Sequence, residues 1–139
     1  MKQAVLSAAE NFCSTILSTS LRQGRLETDN FYGAAVSLYE NEAEHIWYLL
    51  FQRETLNQIA QNLLFEDSLC EDDLDDLIKE VSNQIIGGAK VILQQKYPNH
   101  TYQLSVPEFM GHISHPFPFT TQETLCYSLN DFSFVIARQ

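Results

Sequence analysis

The feature that most constrains the fold of this chain is a long helical pattern between residues 69 and 95. Ser68 followed three residues later by Glu71 is a capping-box pattern that predicts its start, and Tyr97-Pro98-Asn99 predicts its end. Apolar residues recur at steps of three and four, which places them on one face of a helix at about 100° per residue. We expect that face to be buried, and its members are Leu74, Leu77, Ile78, Val81, Ile85, Gly88, Ala89 and Ile92.

Shorter patterns of both kinds flank this helix. Helical periodicity recurs over residues 3–18 and 53–64. Strands or extended segments are predicted at 21–27, 31–39, 45–51, 101–110, 125–129 and 132–137, with turns at Asn41-Glu42 and Asn130-Asp131, a bend at Pro107 and a loop over 112–118. Helices and hairpins are segregated along the chain, which favours an α+β fold with a mainly antiparallel sheet. The aromatic residues expected to form sheet core are Phe31, Tyr32, Trp47, Tyr48 and Phe51.

Length and charge narrow the class of protein. With 139 residues, of which 45% are hydrophobic, the chain has room for one domain with its own core, and we predict a single domain over 1–139. The net charge of -10 argues against nucleic acid as a partner, because binding it requires a basic surface that displaces counterions. An acidic surface can instead steer a protein partner that carries a positive patch.

The apolar and cysteine patterns predict a cytoplasmic protein that does not enter a membrane. Glu10 and Asn11 interrupt the first apolar run too early for a signal peptide, and no stretch approaches the roughly 20 apolar residues that cross a bilayer. Cys13, Cys70 and Cys126 are far apart and odd in number. That pattern is typical of free thiols in a reducing compartment and not of a disulfide framework or a zinc site.

Two clusters of potential ligands do not have the spacing of a metal site. The acidic run from Glu71 to Asp76 lacks calcium-loop spacing, and acids in the first turns of a helix are stabilised by its macrodipole. His112 and His115 are not accompanied by a cysteine or carboxylate at the sequence spacing of a zinc site. We therefore predict no metal site in this chain.

The face of the long helix opposite its apolar stripe carries Glu80 and Asn83. With Glu80 at zero, Asn83 falls at roughly 300° and Gly87 at roughly 340°, while the apolar stripe centres near about 120°. Glu80 and Asn83 therefore point away from the core, one turn apart, and can address one external object. Gly87 and Gly88 each cost a helix about 1 kcal/mol against alanine. Close inward packing at Gly88 or the approach of a partner at Gly87 would compensate for that cost.

The spacing by itself leaves the purpose of this face open. Glu and Asn on an exposed helical face commonly do no more than keep it soluble. The same E-x-x-N spacing occurs at Glu27–Asn30 and at Glu54–Asn57. The copy at Glu80 differs in lying in the middle of a helix, opposite an apolar stripe and ahead of a glycine pair.

The segment from Glu80 to Lys90 resembles the E-x-x-N-x-x-x-G motif of the CheC/CheX/FliY family of chemotaxis phosphatases. The acidic turn and the helix before the motif, the extended segment 104–107 after it and the terminal hairpin also follow the order found in that family. This chain has one good motif, so it is more similar to CheX than to CheC, which carries two. Cys13-Ser14-Thr15 lies where a two-site relative would have its second motif.

The resemblance implies a fold, a reaction and a partner. The fold is a CheC-like two-layer sandwich of sheet and helices, often assembled as a homodimer. The reaction is hydrolysis of the aspartyl phosphate on a CheY-like response regulator. Asn83 would orient the attacking water, because an amide donates and accepts hydrogen bonds without titrating. Glu80 would pair with a lysine of the receiver domain. The protein would need no cofactor of its own, since the receiver brings its own Mg²⁺.

Four neighbouring positions are predicted to contact the partner. Gly87 would let its backbone come near, and Gln84 lies one turn beyond Glu80. Asp73 and Asp76 share the Glu80 side of the helix and would complement a lysine or arginine of the partner.

Two alternatives stay open at this point. One is a non-catalytic CheX-like binding or adaptor module for receivers or flagellar-switch proteins. The other is a phosphatase that serves a receiver outside chemotaxis. Intact Glu80 and Asn83 favour an enzyme, but the sequence does not name its substrate.

Overall fold

Three helices and seven strands follow one another in the described part of the chain. The structure is a computed structural model, and it describes residues 1–16, 22–23, 30–63, 70–114, 117–119, 121–129 and 132–139. The helices are α1 (Lys2–Ile16), α2 (Arg53–Leu63) and α3 (Glu71–Lys96). The strands are β1 (Arg22–Gln23), β2 (Asn30–Glu40), β3 (Ala43–Phe51), β4 (Tyr102–Leu104), β5 (Glu108–Ser114), β6 (Glu123–Leu129) and β7 (Phe132–Arg138).

The strands form one sheet in the order β1-β6-β7-β3-β2, and the far side of β2 is shared by β4 and β5. Each pairing found among the described residues is antiparallel. Strand β4 lies against the end of β2 at Leu38–Glu40, while β5 lies against its first half. The short segment 105–107 therefore passes along the edge of β2, between two strands that both pair with it.

The helices cover one face of this sheet and form a two-layer sandwich. Alternate residues of the central strands point into the main core, where they meet the apolar stripes of the helices. The central strands β2, β3 and β7 contribute Ala34, Val36, Leu38, Trp47, Leu49, Phe51, Phe134 and Ile136 to that core. A smaller cluster on the other face contains Phe31, Leu50, Ile113 and Val135. The prediction of an α+β sandwich with a mainly antiparallel sheet is confirmed.

Helix α3 confirms the predicted apolar face but begins differently from the prediction. Its N-cap is Cys70, so the capping box predicted from Ser68 is wrong. The Cys70 side chain makes no capping hydrogen bond to the helix backbone, and its thiol donates to a carboxylate oxygen of Asp73 at 3.1 Å. The helix ends as predicted: the backbone N–H of Tyr97 donates to the carbonyl of Leu93 at 2.8 Å.

A second correction concerns the loop predicted over 112–118. Residues 112–114 belong to β5, where Ile113 pairs with Phe31 and is 4% exposed. Burial of Ile113 in the smaller cluster extends the strand past the point where the prolines suggested a loop. The predicted turn at Asn41-Glu42 is confirmed, with φ of 50° and 86°. Predictions that fall on residues 17–18, 21, 24–27, 64, 69, 115–116 and 130–131 lie outside the described residues.

Two further observations concern the helices and the cysteines. Among the helices described, none is both long enough and apolar enough to span a bilayer. Cys13 is a buried free thiol whose pKa burial raises to about 12, and Cys70 is an exposed free thiol.

Candidate functional site

The outward face of α3 carries the residues that the motif singled out. The side chains of Glu80, Asn83 and Gln84 are exposed, while Val81 and Ile85 on the opposite side are buried. Because α3 is a continuous helix over 26 residues, its backbone holds these exposed side chains in fixed relative positions. The site therefore rests on a rigid element and not on a loop.

An open groove of about 440 Å³ runs between this face and the segment that follows β4. Its helical side is formed by Asp76, Lys79, Glu80 and Asn83, and its opposite side by Leu104, Ser105, Val106 and Pro107. The two sides are more than 20 residues apart in sequence, and the pairing of β4 with β2 brings them together. Asn83 and Glu80 thus face a space that an external group can enter.

Hydrogen bonds within the helix orient part of this face. The side-chain amide of Gln84 donates to Oε1 of Glu80 at 2.9 Å. The Lys79 ammonium lies 2.7 Å from Oδ1 of Asp75, and that hydrogen bond raises the pKa of Lys79. Within the described part of the chain, no side chain or backbone group bonds to the amide of Asn83. The Asn83 amide therefore keeps its donors and its acceptor available for a ligand.

The two adjacent glycines of α3 have different surroundings. A Cβ added at Gly88 would lie 3.3 Å from the Cβ of Ala8, so α1 packs closely against α3 there. A Cβ added at Gly87 would lie 3.7 Å from Cδ2 of Leu104, which is an ordinary contact. Inward packing therefore explains Gly88, and it does not explain Gly87.

Two hydrogen bonds hold the far side of the groove against β2. The backbone N–H of Ser105 donates to the carbonyl of Ser37, and the backbone N–H of Ser37 donates to the hydroxyl of Ser105, both at 2.9 Å. Pro107 restricts the backbone of the same segment further. Segment 105–107 is consequently fixed in place although it lies outside both strands.

Strand β4 is held by a buried tyrosine. The Tyr102 hydroxyl, on a side chain that is 5% exposed, donates to Oε2 of Glu40 at 2.6 Å. This bond lowers the pKa of Glu40, and burial followed by the bond to Glu40 raises the pKa of Tyr102 to about 12. His100 lies 3.4 Å from the same carboxylate oxygen. The end of β2 is thereby joined to the strand that leads into the groove.

The predicted site residues are only partly brought together. Glu80, Asn83 and Asp76 line one groove, and Gln84 reaches it through its bond to Glu80. Gly87 lies beside Leu104 at the edge of the groove. Asp73 is exposed one turn further toward the start of the helix, beside Cys70, and does not line the groove. The functional roles of these residues remain predictions.

Lys79 and the 104–107 side of the groove were not predicted as parts of the site. The family motif includes neither, and helical periodicity describes one element at a time. The bend at Pro107 was the one available signal, since it indicated an exposed corner after the helix. The position of segment 104–107 beside Asn83 depends on the register in which β4 pairs with β2, and the sequence pattern did not provide that register.

The family model described as "Chemotaxis phosphatase CheX" matches residues 32–127 of this chain. That range covers more than half of the chain and includes α3 and both sides of the groove. The chain belongs to the CheX family. The predicted resemblance is therefore confirmed, and at the level of the family this is a chemotaxis phosphatase.

Solved structures support the same fold. This CheX-family chain is similar to the chemotaxis protein CheX from Vibrio vulnificus, with a TM-score of 0.81, 18% identity, and coverage of 98% of this chain and 93% of that one. A chemotactic CheC-like protein from Shewanella oneidensis gives a TM-score of 0.77 at 17% identity, with 98% and 94% covered. The CheX-CheY-BeF3-Mg+2 complex from Borrelia burgdorferi gives 0.70 at 19% identity, with 99% and 96% covered.

A comparison with curated protein sequences found no significant match. At identities of 17 to 19%, the structural likeness establishes the fold of this CheX-family chain and not the roles of its residues.

Proposed function

We propose that this protein hydrolyses the aspartyl phosphate of a response-regulator receiver domain that docks on the groove of α3. The observation that supports this most directly is the pair formed by Glu80 and Asn83. Both side chains are exposed on a rigid helix, both line an open groove, and the amide of Asn83 is available for a ligand. This pair stands in a chain whose family is described as a chemotaxis phosphatase.

Asn83 would orient the water that attacks phosphorus. The side-chain carbonyl accepts a hydrogen bond from the water and aims its lone pair in line with the bond that breaks. The new bond joins the water oxygen to phosphorus, and the bond between phosphorus and the aspartyl oxygen breaks. The products are inorganic phosphate and the free aspartate of the receiver. Asn83 needs no change in protonation during this step, so positioning accounts for its contribution.

Glu80 would bind the receiver through an ion pair with a lysine beside the phosphoaspartate. Its Oε1 already accepts a hydrogen bond from Gln84, which restrains the carboxylate while leaving Oε2 for the partner. A charge-assisted hydrogen bond of this kind fixes register as well as adding affinity. Because Glu80 and Asn83 are one turn apart on the same helix, binding through Glu80 would hold the phosphoryl group at a fixed position relative to the water bound by Asn83.

The remaining predicted contacts extend this docking surface. Gly87 offers a place without a side chain where the partner's backbone can approach, and Asp76 adds negative charge to the groove. Asp73 would act at longer range, since it lies outside the groove. The magnesium ion would come from the receiver, where it would neutralise charge on the phosphoryl oxygens. The Borrelia burgdorferi relative was solved in complex with CheY, BeF3 and Mg+2, which supports a receiver as the partner here.

The test is a phosphate-decay assay on the receivers of the host. Each receiver is loaded from a small-molecule phosphodonor, and the loss of phosphate is followed with and without this protein. Wild type is expected to accelerate the decay of at least one receiver, and Asn83→Ala to reduce that acceleration by about a hundredfold or more, in the range of a lost positioning group. Glu80→Ala is expected to weaken binding as well as slow turnover.

A matched control uses another copy of the same spacing, at Glu54 and Asn57 on α2. The Oδ1 atom of Asn57 is buried without a hydrogen-bond partner among the described residues, so Asn57→Ala should fold normally and keep full activity. If wild type accelerates the decay of none of the receivers, the phosphatase proposal is wrong. Tight receiver binding without acceleration would instead support the adaptor alternative. If Asn83→Ala keeps full activity, the water-positioning role is wrong.

A further inference from the structure

One apolar side chain in the groove is almost completely exposed. Val106 is 88% exposed, against 51% for Val91 and 40% for Tyr97, the other exposed large apolar side chains among the described residues. Single exposed apolar residues are common on soluble proteins and need no explanation by themselves. Val106 differs in its position, because it lines the groove that contains Glu80 and Asn83.

Val106 is also held in place more firmly than an ordinary loop residue. The segment before it is joined to β2 by the paired hydrogen bonds of Ser37 and Ser105, and Pro107 follows it. A side chain on a fixed backbone loses little conformational entropy when a partner covers it. Val106 can therefore be covered by a partner with little further loss of conformational entropy, because its backbone is already fixed in the fold.

The shape of the surface around Val106 explains its exposure. Ser105 and Val106 also line a second groove, on the face of the sheet that points away from the helices. Val106 thus stands on the ridge between two open grooves, and no described side chain covers it. Val106 and Asn83 line the same first groove, so a body that fills this groove contacts both side chains.

We propose that Val106 is an apolar contact for the receiver domain and that it sets affinity for the partner without taking part in the chemistry. This inference rests on the proposed function. Its occupant is an apolar patch on the receiver surface beside the phosphoaspartate. Glu80 and Asn83 supply polar and charged contacts on one side of the groove, and Val106 supplies burial of apolar surface on the other. Such a contact favours receivers that carry a matching apolar side chain over those with a charge there.

The test separates binding from turnover. Receiver phosphate decay is measured over a range of receiver concentrations for wild type, Val106→Ala and Val106→Asp, and affinity is measured separately with the receiver held in its BeF3- and Mg²⁺-bound form. Val106→Ala is expected to raise KM and Kd by about three- to tenfold, the range for partial loss of a buried Val side chain. Val106→Asp should raise both further. Both variants are expected to keep the wild-type kcat.

Val91→Ala is the comparison variant, because Val91 is exposed on α3 but does not line the groove. Val91 lies on the same helical face as Gly87, about 12 Å beyond Asn83 along the axis at 1.5 Å per residue. Val91→Ala should therefore raise KM and Kd less than Val106→Ala does. Thermal unfolding of each variant should match wild type, since neither side chain is part of the core.

Three outcomes contradict the proposal. Unchanged KM and Kd in Val106→Asp, with an active wild type, would remove Val106 from the interface and leave the phosphatase assignment intact. Equal weakening in Val106→Ala and Val91→Ala would indicate a general effect of apolar surface. Failure of wild type to accelerate decay or to bind the receiver would overturn the proposed function and this inference together.

Discussion

At the scale of single residues, the glycine pair of α3 shows two different uses of the same residue type. Gly88 lies where α1 crosses α3, and its missing side chain allows the close approach of Ala8. Gly87 lies at the edge of the groove, where the fold leaves room for a Cβ. A helix loses about 1 kcal/mol at each of these positions relative to alanine. Only Gly88 has a reason for this cost within the fold.

Gly87→Ala should therefore stabilise the protein and impair its activity. The added Cβ meets Leu104 at 3.7 Å without a clash, so the free energy of unfolding should rise by up to about 1 kcal/mol from helix propensity. If the receiver's backbone approaches Gly87, the same methyl group should raise the KM for the phosphorylated receiver. Denaturant unfolding and the phosphate-decay assay measure the two effects.

Gly88→Ala is the matched control for that experiment. Its Cβ would lie 3.3 Å from the Cβ of Ala8, so α1 must shift slightly and the gain from helix propensity is offset. We expect a smaller rise in stability than for Gly87→Ala, or a small fall. Unchanged KM in Gly87→Ala would show that the partner does not approach this glycine closely.

At the scale of elements, the helices and the central strands were predictable because each carries its own periodic signal. The stripe of α3 and the alternation of β2 and β3 are repeated many times, so they identify the element and its buried face. The ends depend on fewer residues. Cys70 occupies the N-cap that was assigned to Ser68, and Ile113 extends β5 because it is buried against Phe31.

The groove could not be predicted in the same way. Its helical side includes Glu80 and Asn83, whose predicted position on the exposed face of α3 is confirmed. Its other side depends on the register in which Leu104 pairs with Leu38, and on the hydrogen bonds between Ser37 and Ser105. These are contacts between distant parts of the chain, for which local patterns carry no information.

The bond between Tyr102 and Glu40 gives the attachment of β4 a predicted pH dependence. The lowered pKa of Glu40 means that its contribution is present above the ordinary value of 4.5 and is lost as pH falls through the lowered pKa. The pKa of Tyr102 is raised from 10.0 to about 12, so its contribution is present below pH 10 and is lost as pH rises toward 12. Stability from this pair is therefore greatest between these limits.

Tyr102→Phe should reduce the free energy of unfolding by about 1 kcal/mol at neutral pH, because it removes a hydrogen bond to a carboxylate. It should also flatten the loss of stability on both the acidic and the alkaline side. Tyr39→Phe is the matched control: its hydroxyl donates to Glu44 at 2.8 Å in an exposed pair on the same hairpin, and it should leave stability almost unchanged. Equal losses in the two variants would contradict the importance of Tyr102.

At the scale of the whole molecule, the net charge of -10 shapes every association that this chain makes. Two copies of the chain repel each other at long range, and so does any acidic partner. Association therefore depends on local complementarity that outweighs the general repulsion. In the groove, Lys79 is the one cation among the described lining residues, and its charge is paired with Asp75. A basic side chain of a receiver would thus meet a negative surface at Asp76 and Glu80.

The homodimer implied by the family is a prediction whose salt dependence follows from this charge. Two chains of charge -10 repel less when salt screens them, since the Debye length falls from about 30 Å at 0.01 M to about 3 Å at 1 M ionic strength. The dimer dissociation constant should therefore fall as salt is added. In light scattering, the mass should reach twice the chain mass of 15.9 kDa at a lower protein concentration in high salt than in low salt. The mass of a single chain at every salt and protein concentration would contradict the dimer. A dimer that weakens with added salt would show instead that attractive ion pairs across its interface outweigh the net repulsion.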